Sequence, residues 1–207
     1  KRILLSTHFL RGFSGSEITI LLLAQYFKTH NWNVTVTCFL KESLLEHAFN
    51  EIGISIEVLP SEVLNNQKFD LFWCQHVTTY YALLEDHNIV CDKIIFSSLS
   101  PFESLETPPI SDSLIHLYLA NSEETKTALL QLGIDDSKAM VFPNFAIKKD
   151  FLLFDRQKHK QLSKVAVISN HFVEELSALK ILLSNKGIQL DHYGAGNVYR
   201  LVDAELV

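Results

Sequence analysis

Three side chains able to move or hold protons stand just past apolar, strand-like runs. His8 follows Ile3–Ser6, His76 follows Leu71–Cys74, and Glu103 comes shortly after Lys93–Phe96. In an open α/β sheet, ligands bind beyond the carboxyl ends of the strands. If the three runs are parallel strands, all three groups lie on one edge of the sheet. An imidazole titrates close to neutral pH and can orient or deprotonate a hydroxyl. A carboxylate can act as a base or accept hydrogen bonds from substrate hydroxyls. Each also has a plain reading: a helix-start histidine, a loop histidine and a solvated loop carboxylate.

A second group of residues is suited to an anion. Gly12-x-x-Gly15 joins the first apolar run to a long helical pattern, and Ser14 and Glu17 have the spacing of a capping box. The first amides of such a helix lack partners within it, and the helix dipole favours negative charge there. Gly12, Gly15 and Ser16 are therefore candidates for a phosphate cradle, with Arg11 beside them. The same residues can equally form a capped helix on a glycine turn. The spacing is not the dinucleotide fingerprint G-x-G-x-x-G.

The elements that must position these groups alternate along the chain. Strands are expected at Ile3–Ser6, Val34–Phe39, Ser55–Leu59, Leu71–Cys74, Lys93–Phe96, Leu114–Leu119 and Ala139–Phe142. Helices are expected at Ser16–Thr29, Leu44–Ile52, Thr78–Asp86 and Glu123–Leu132. Ser43 and Glu46 form a second capping-box spacing, and Asn121 reads as an N-cap completed by Glu124. Gly53, Gly133 and Gly187 each precede an isoleucine, the pattern of a helix ending on a left-handed glycine. Continuously apolar strands alternating with helices predict an α/β, Rossmann-like, doubly wound parallel sheet.

Composition narrows the function. The chain has 207 residues, is 47% apolar with 14 Phe, and carries a net charge of -6. That balance argues against a general nucleic-acid binder. No apolar run approaches the ~18–20 residues that span a bilayer, and Lys1-Arg2 opens no leader-like pattern. Cys38, Cys74 and Cys91 are widely spaced and read as reduced core thiols of a cytoplasmic protein, with no metal expected. After Pro143 the composition becomes charged. The sequence divides into a first domain at 1–145, a linker at 146–163 and a second α/β unit at 164–207. That unit shows strand Lys164–Ser169, helix Val173–Lys186 and strand Gln189–Tyr193. It is too short for a whole doubly wound domain and is expected to be incomplete.

Together these segments resemble the GT-B glycosyltransferases, in particular their family-4-like group. The resemblance rests on Arg2-Ile-Leu-Leu-Ser-Thr-His8 with its glycine loop, Phe69-Asp-Leu-Phe-Trp-Cys-Gln-His76 and Tyr118-Leu-Ala-Asn-Ser-Glu-Glu-Thr-Lys126. It continues through Leu132-Gly-Ile134, Val141-Phe-Pro-Asn144, Val167-Ile-Ser-Asn-His171 and Tyr193-Gly-Ala-Gly196. It implies two Rossmann-like domains facing across a cleft, the first holding the acceptor and the second a nucleotide-sugar. Catalysis would come from positioning and charge stabilisation without a metal or further cofactor. The acceptor would be a glycan or a lipid-linked glycan, the latter bringing the protein peripherally to the inner face of the membrane.

The resemblance also assigns residues. His76 and His8 would serve the acceptor. Asn170, His171, Gly194 and Gly196 would meet the nucleotide, and amides of the first loop would approach its diphosphate. Two departures stand out. Ser169-Asn170-His171 lacks the basic residue usual at that place, and no acidic pair spaced eight residues apart follows. The expected function is sugar transfer from a nucleotide-sugar, in surface polysaccharide synthesis. The alternative is a non-catalytic Rossmann-like module that binds a glycan or a protein. A nicotinamide- or flavin-binding domain ranks behind both, because the first loop lacks the dinucleotide spacing.

Overall fold

The computed structural model describes residues 1–12, 14–100, 104–109, 112–143, 162–168 and 173–193. Two compact units result, Lys1–Phe151 and Leu152–Val207.

The first unit is a seven-stranded parallel sheet. Its strands are β1 (Arg2–Ser6), β3 (Asn33–Cys38), β5 (Ile56–Val58), β6 (Lys68–Cys74), β7 (Val90–Ser98), β8 (Leu117–Ala120) and β9 (Ala139–Val141). They lie in the order β5-β3-β1-β6-β7-β8-β9. Two further short strands, β2 (Phe9–Leu10) and β4 (Leu40–Lys41), pair with each other just beyond the ends of β1 and β3. The helices are α1 (Gly15–Thr29), α2 (Ser43–Glu51), α3 (Val77–Tyr81) and α4 (Glu123–Gln131). This is a Rossmann-like α/β fold, as the alternation of apolar runs predicts.

Strand periodicity explains why the runs are apolar on both sides. Successive side chains of β1 go to opposite faces. Ile3 and Leu5 pack with Val36, Trp73 and the α1 residues Leu21 and Leu23. Leu4 packs with Phe72, Phe96, Tyr80 and Leu129 on the other face. Each strand is thus covered twice, and the central residues Leu4, Leu5, Phe72 and Phe96 are fully buried.

The element ends differ from expectation in informative ways. The α2 cap is Glu42, one residue ahead of the expected Ser43, and Glu46 pairs with Lys41 at 2.6 Å. The α4 cap is Ser122, not Asn121, and its hydroxyl accepts the Thr125 amide at 3.1 Å. Asn121 instead donates to the Leu99 carbonyl and accepts the Thr125 hydroxyl, tying β7 to α4. Strand β8 begins at Leu117, because the Asp112 carboxylate accepts the Leu114 amide at 2.8 Å and turns the chain there. The helix expected to run to Asp86 is α-helical only to Tyr81 and continues as a π turn, Ala82–Asp86. Gly53 and Gly133 have φ of 68° and 89°, the left-handed conformation that ends α2 and α4.

In the second unit, β10 (Lys164–Ile168) pairs in parallel with β11 (Gln189–Tyr193), and α5 (Val173–Ser184) connects them. Lys164 and Asp191 form an ion pair at 2.6 Å across the two strands. Among the described residues all three cysteines are free thiols; Cys38 and Cys74 are buried and Cys91 partly so.

Phe72 sits at the centre of the larger core cluster, stacked on Tyr80 with ring centroids 6.2 Å apart. Phe72→Ala is expected to cost about 3–5 kcal/mol. Urea denaturation should show a lower midpoint with an unchanged slope.

Candidate functional site

The chain leaves β1 towards β3 and β5, then returns to β6 on the other side of β1. The connections after β1 and β6 therefore diverge, which opens a crevice at the carboxyl ends of these two strands. The pairing Ser6↔Cys74 sets the ends level. Just beyond it, the Gln75 amide donates to the Ser6 carbonyl at 3.2 Å. Thr7-His8 and Gln75-His76 consequently lie side by side beyond the strand ends.

His76 is the best-defined side chain of the site. Its Nδ1 accepts the His8 backbone amide at 3.0 Å and lies 3.1 Å from the Thr7 hydroxyl. A backbone N–H can only donate, so Nδ1 carries no proton and the threonine hydroxyl donates as well. The proton of the neutral ring is on Nε2. Burial, and to a lesser extent the His8 charge, lower the His76 pKa to about 4, against a weaker opposing pull from Glu17. His76 is therefore a neutral Nε2–H donor at neutral pH. Deprotonating a hydroxyl through Nε2 would require the ring proton on Nδ1, which already faces two donors. Of the two roles open from sequence, orientation fits this geometry and base catalysis does not.

Hydroxyls hold the backbone beneath the ring. The His76 carbonyl accepts from Thr79 Oγ1 at 2.9 Å and from Cys74 Sγ at 3.1 Å. Thr79 Oγ1 is also 3.0 Å from Ser6 Oγ, which links α3 to β1. His8 lies alongside, 6.3 Å from His76 between ring centroids. Its Nδ1 is 2.7 Å from Thr78 Oγ1, and its ring contacts Phe9 and Phe39. Burial first, and then Arg11, lower its pKa.

The acidic partner that reaches this site is Glu106, which sequence reasoning passed over. It ends a 3-10 turn, Ser104–Glu106, on the long connection after β7. Its Oε1 is 4.0 Å from His76 Nε2, and the two side chains are only 13% and 9% exposed. Two tyrosines fix the rest of this connection. Tyr80 donates to Asp112 Oδ2 at 2.5 Å, and Tyr118 donates to the Pro109 carbonyl at 3.2 Å. Burial, then the Asp112 carboxylate, raise the Tyr80 pKa, so the phenol stays protonated. Tyr118 is pushed up to about 12, by burial first and by Asp112 second. The length of the connection was the sequence signal, since long loops are often functional. The expected residue on it, Glu103, lies outside the described residues, as do Asn170, His171, Gly194 and Gly196.

The glycine loop closes on a side chain of the helix that follows it. Glu17 is buried, and its carboxylate accepts the amides of Arg11 at 2.5 Å, Gly12 at 3.1 Å and Ser14 at 2.9 Å. Three amides of the loop that joins β1 to α1 thus go to the chain's own carboxylate. Gly12 spends its amide on Glu17, and Ser16 lies 3.3 Å, hydroxyl to hydroxyl, from Ser14. A Cβ at Gly12 or Gly15 would meet nothing within 4 Å, so no close neighbour demands glycine at either place. Arg11 lies over the Phe9 ring at 4.4 Å and 3.9 Å from Glu42.

No family model and no curated protein matches this sequence. Solved structures match its fold. A lipopolysaccharide outer core galactosyltransferase, WaaB, in its apo form is 13% identical with a TM-score of 0.65, over 100% of this chain and 71% of that one. Anabaena HepE in complex with UDP-glucose is 12% identical with a TM-score of 0.56, over 97% of this chain and 71% of that one. A Listeria monocytogenes protein assigned as a UDP-N-acetylglucosamine 2-epimerase is 14% identical with a TM-score of 0.54, over 99% of this chain and 66% of that one. The fold is that of the GT-B glycosyltransferases.

Two measurements test this geometry. The folded-state pKa of His76 lies below its usual value of 6.5, at about 4. Unfolded chains therefore bind the proton first as pH falls. The neutral ring's contribution is fully present above pH 6.5 and is lost between 6.5 and 4, on the order of 3 kcal/mol. His76→Asn keeps an acceptor near the Nδ1 position but cannot titrate, and its stability should fall less over that window in denaturation curves. Separately, Glu17→Ala should cost about 1–3 kcal/mol, because it leaves loop amides without their acceptor. Hydrogen exchange should speed at Gly12 and Ser14 and stay slow in β1.

Proposed function

We propose that this chain is a glycosyltransferase, moving a sugar from a nucleotide-sugar to a hydroxyl of a glycan or lipid-linked glycan. The observation that carries this reading is the buried, neutral His76 Nε2–H at the switch point of a GT-B fold. An immobile donor with no net charge suits the neutral, hydroxyl-rich surface of a sugar. The solved neighbours support the donor class: they include a galactosyltransferase, a UDP-glucose complex and an enzyme described by its UDP-sugar substrate. A uridine diphosphate sugar is accordingly the proposed donor.

In this reading the first unit takes the acceptor and the second the nucleotide, with Asn170, His171, Gly194 and Gly196 on the nucleotide side. His76 donates to an acceptor oxygen and His8 lines the same crevice. Rate enhancement comes from holding the acceptor in line and from fixed dipoles, without a metal or further cofactor. Surface polysaccharide synthesis in the cytoplasm, at the inner membrane face, is the proposed setting. Among the described residues no helix is long and apolar enough to cross a membrane. One observation favours a non-catalytic binding module instead: Glu17 already fills the loop that would approach a diphosphate.

Calorimetry of the folded full chain with UDP, UDP-glucose, UDP-galactose and UDP-N-acetylglucosamine separates these readings. The transferase reading expects UDP and at least one of the sugars to bind. It also expects UDP release with a suitable acceptor, lowered up to about tenfold in His76→Asn, the worth of one neutral hydrogen bond. Failure of every one of these ligands to bind would leave the binding module as the function.

A further inference from the structure

We propose that Glu106 and His76 together form a clasp for a single hydroxyl group of the sugar acceptor, with Glu106 as a second substrate-binding residue. This rests on the transferase reading for the identity of the ligand, but the geometry stands by itself. His76 Nε2 and Glu106 Oε1 are 4.0 Å apart. That is too long for a direct hydrogen bond and suits one oxygen held about 2.8 Å from each. The chemistry of the two ends is complementary. Nε2 donates, because Nδ1 is engaged by the His8 amide and the Thr7 hydroxyl. The carboxylate oxygen accepts. A hydroxyl, which accepts and donates at one atom, can bond to both ends at once.

Both ends are held from outside the clasp. The His76 ring cannot turn over without losing the two bonds at Nδ1. The Glu106 turn lies on a connection anchored at Asp112 by Tyr80 and at Pro109 by Tyr118. Tyr80 belongs to α3, the helix that His76 itself caps. One short helix therefore sets the spacing between the two ligating groups. Partial burial of both side chains keeps bulk water from competing on equal terms, which strengthens each bond.

The clasp is tested by binding rather than turnover. Methyl glycosides of glucose, galactose and N-acetylglucosamine are titrated into the full chain labelled with 15N-histidine, and the His76 Nε2–H resonance is followed. At least one glycoside should shift that resonance in a saturable way. Glu106→Ala should weaken that glycoside tenfold or more. Glu106→Gln, which keeps a neutral acceptor, should weaken it several-fold, since charged acceptors are about twice as strong. The proposal is overturned if no glycoside moves the His76 resonance, or if either Glu106 variant, folded by its melting curve, binds as the parent does. UDP titration of the same samples keeps the two ideas apart. A chain that clasps a glycoside but binds no UDP loses the transferase reading and keeps the clasp; one that binds UDP but ignores Glu106 does the reverse.

Discussion

The His8 amide and the His76 ring meet because β1 and β6, far apart in the chain, are neighbours in the sheet and pair in the register Ser6↔Cys74. A shift of one residue would turn every side chain of β6 to the opposite face. Phe72 and Cys74 would leave one core and Trp73 the other. The register is thus enforced by burial on both sides of the sheet, and it delivers Thr7, His8 and His76 to one place as a consequence. The site needs no separate device to assemble it. The same pairing that buries Leu4 and Leu5 aims an amide at an imidazole nitrogen.

Burial then sets the chemistry. An exposed histidine would be partly protonated near neutrality and free to exchange tautomers. Here the low-dielectric surroundings disfavour the cation, and two donors at Nδ1 select one neutral form. The result is a fixed dipole rather than a proton carrier. The neighbouring hydroxyls of Ser6, Thr7 and Thr79 are buried and bonded to one another or to His76, so the dipole costs no rearrangement when a ligand arrives.

Much of this architecture is legible in the sequence, and for a simple reason. Strands covered on both faces are apolar without interruption, and helices that end at Gly-Ile announce the turn back to the sheet. Thus β1, β3, β6 and α1 fall close to where periodicity puts them, and His8 and His76 follow at once from the strand ends. What stays hidden depends on tertiary contacts. Nothing local distinguishes Glu106 from Glu103; a turn of three residues and two tyrosines from distant elements bring Glu106 to the imidazole. The tautomer of His76 depends on an amide 68 residues away. At Glu17 the capping-box spacing was visible, but one carboxylate can serve a helix cap and a whole loop, and only the fold shows that it does both.

That double duty constrains how a diphosphate could be handled. The Glu17 carboxylate takes three amides of the Arg11–Ser14 loop and adds negative charge beside any phosphate brought to them. Two like charges about 4 Å apart repel by about 4 kcal/mol at the effective dielectric of a protein surface. Bringing a phosphate to these amides would mean either displacing Glu17, at the cost of three hydrogen bonds, or accepting that repulsion. Arg11 offsets little of it, being half exposed and drawn towards Glu42. The Arg11, Gly12 and Ser14 amides are therefore poorly placed to receive an anion. The loop's contribution is then mechanical: by closing on Glu17 it fixes the path of the chain between His8 and α1, and so holds the amide that fixes His76.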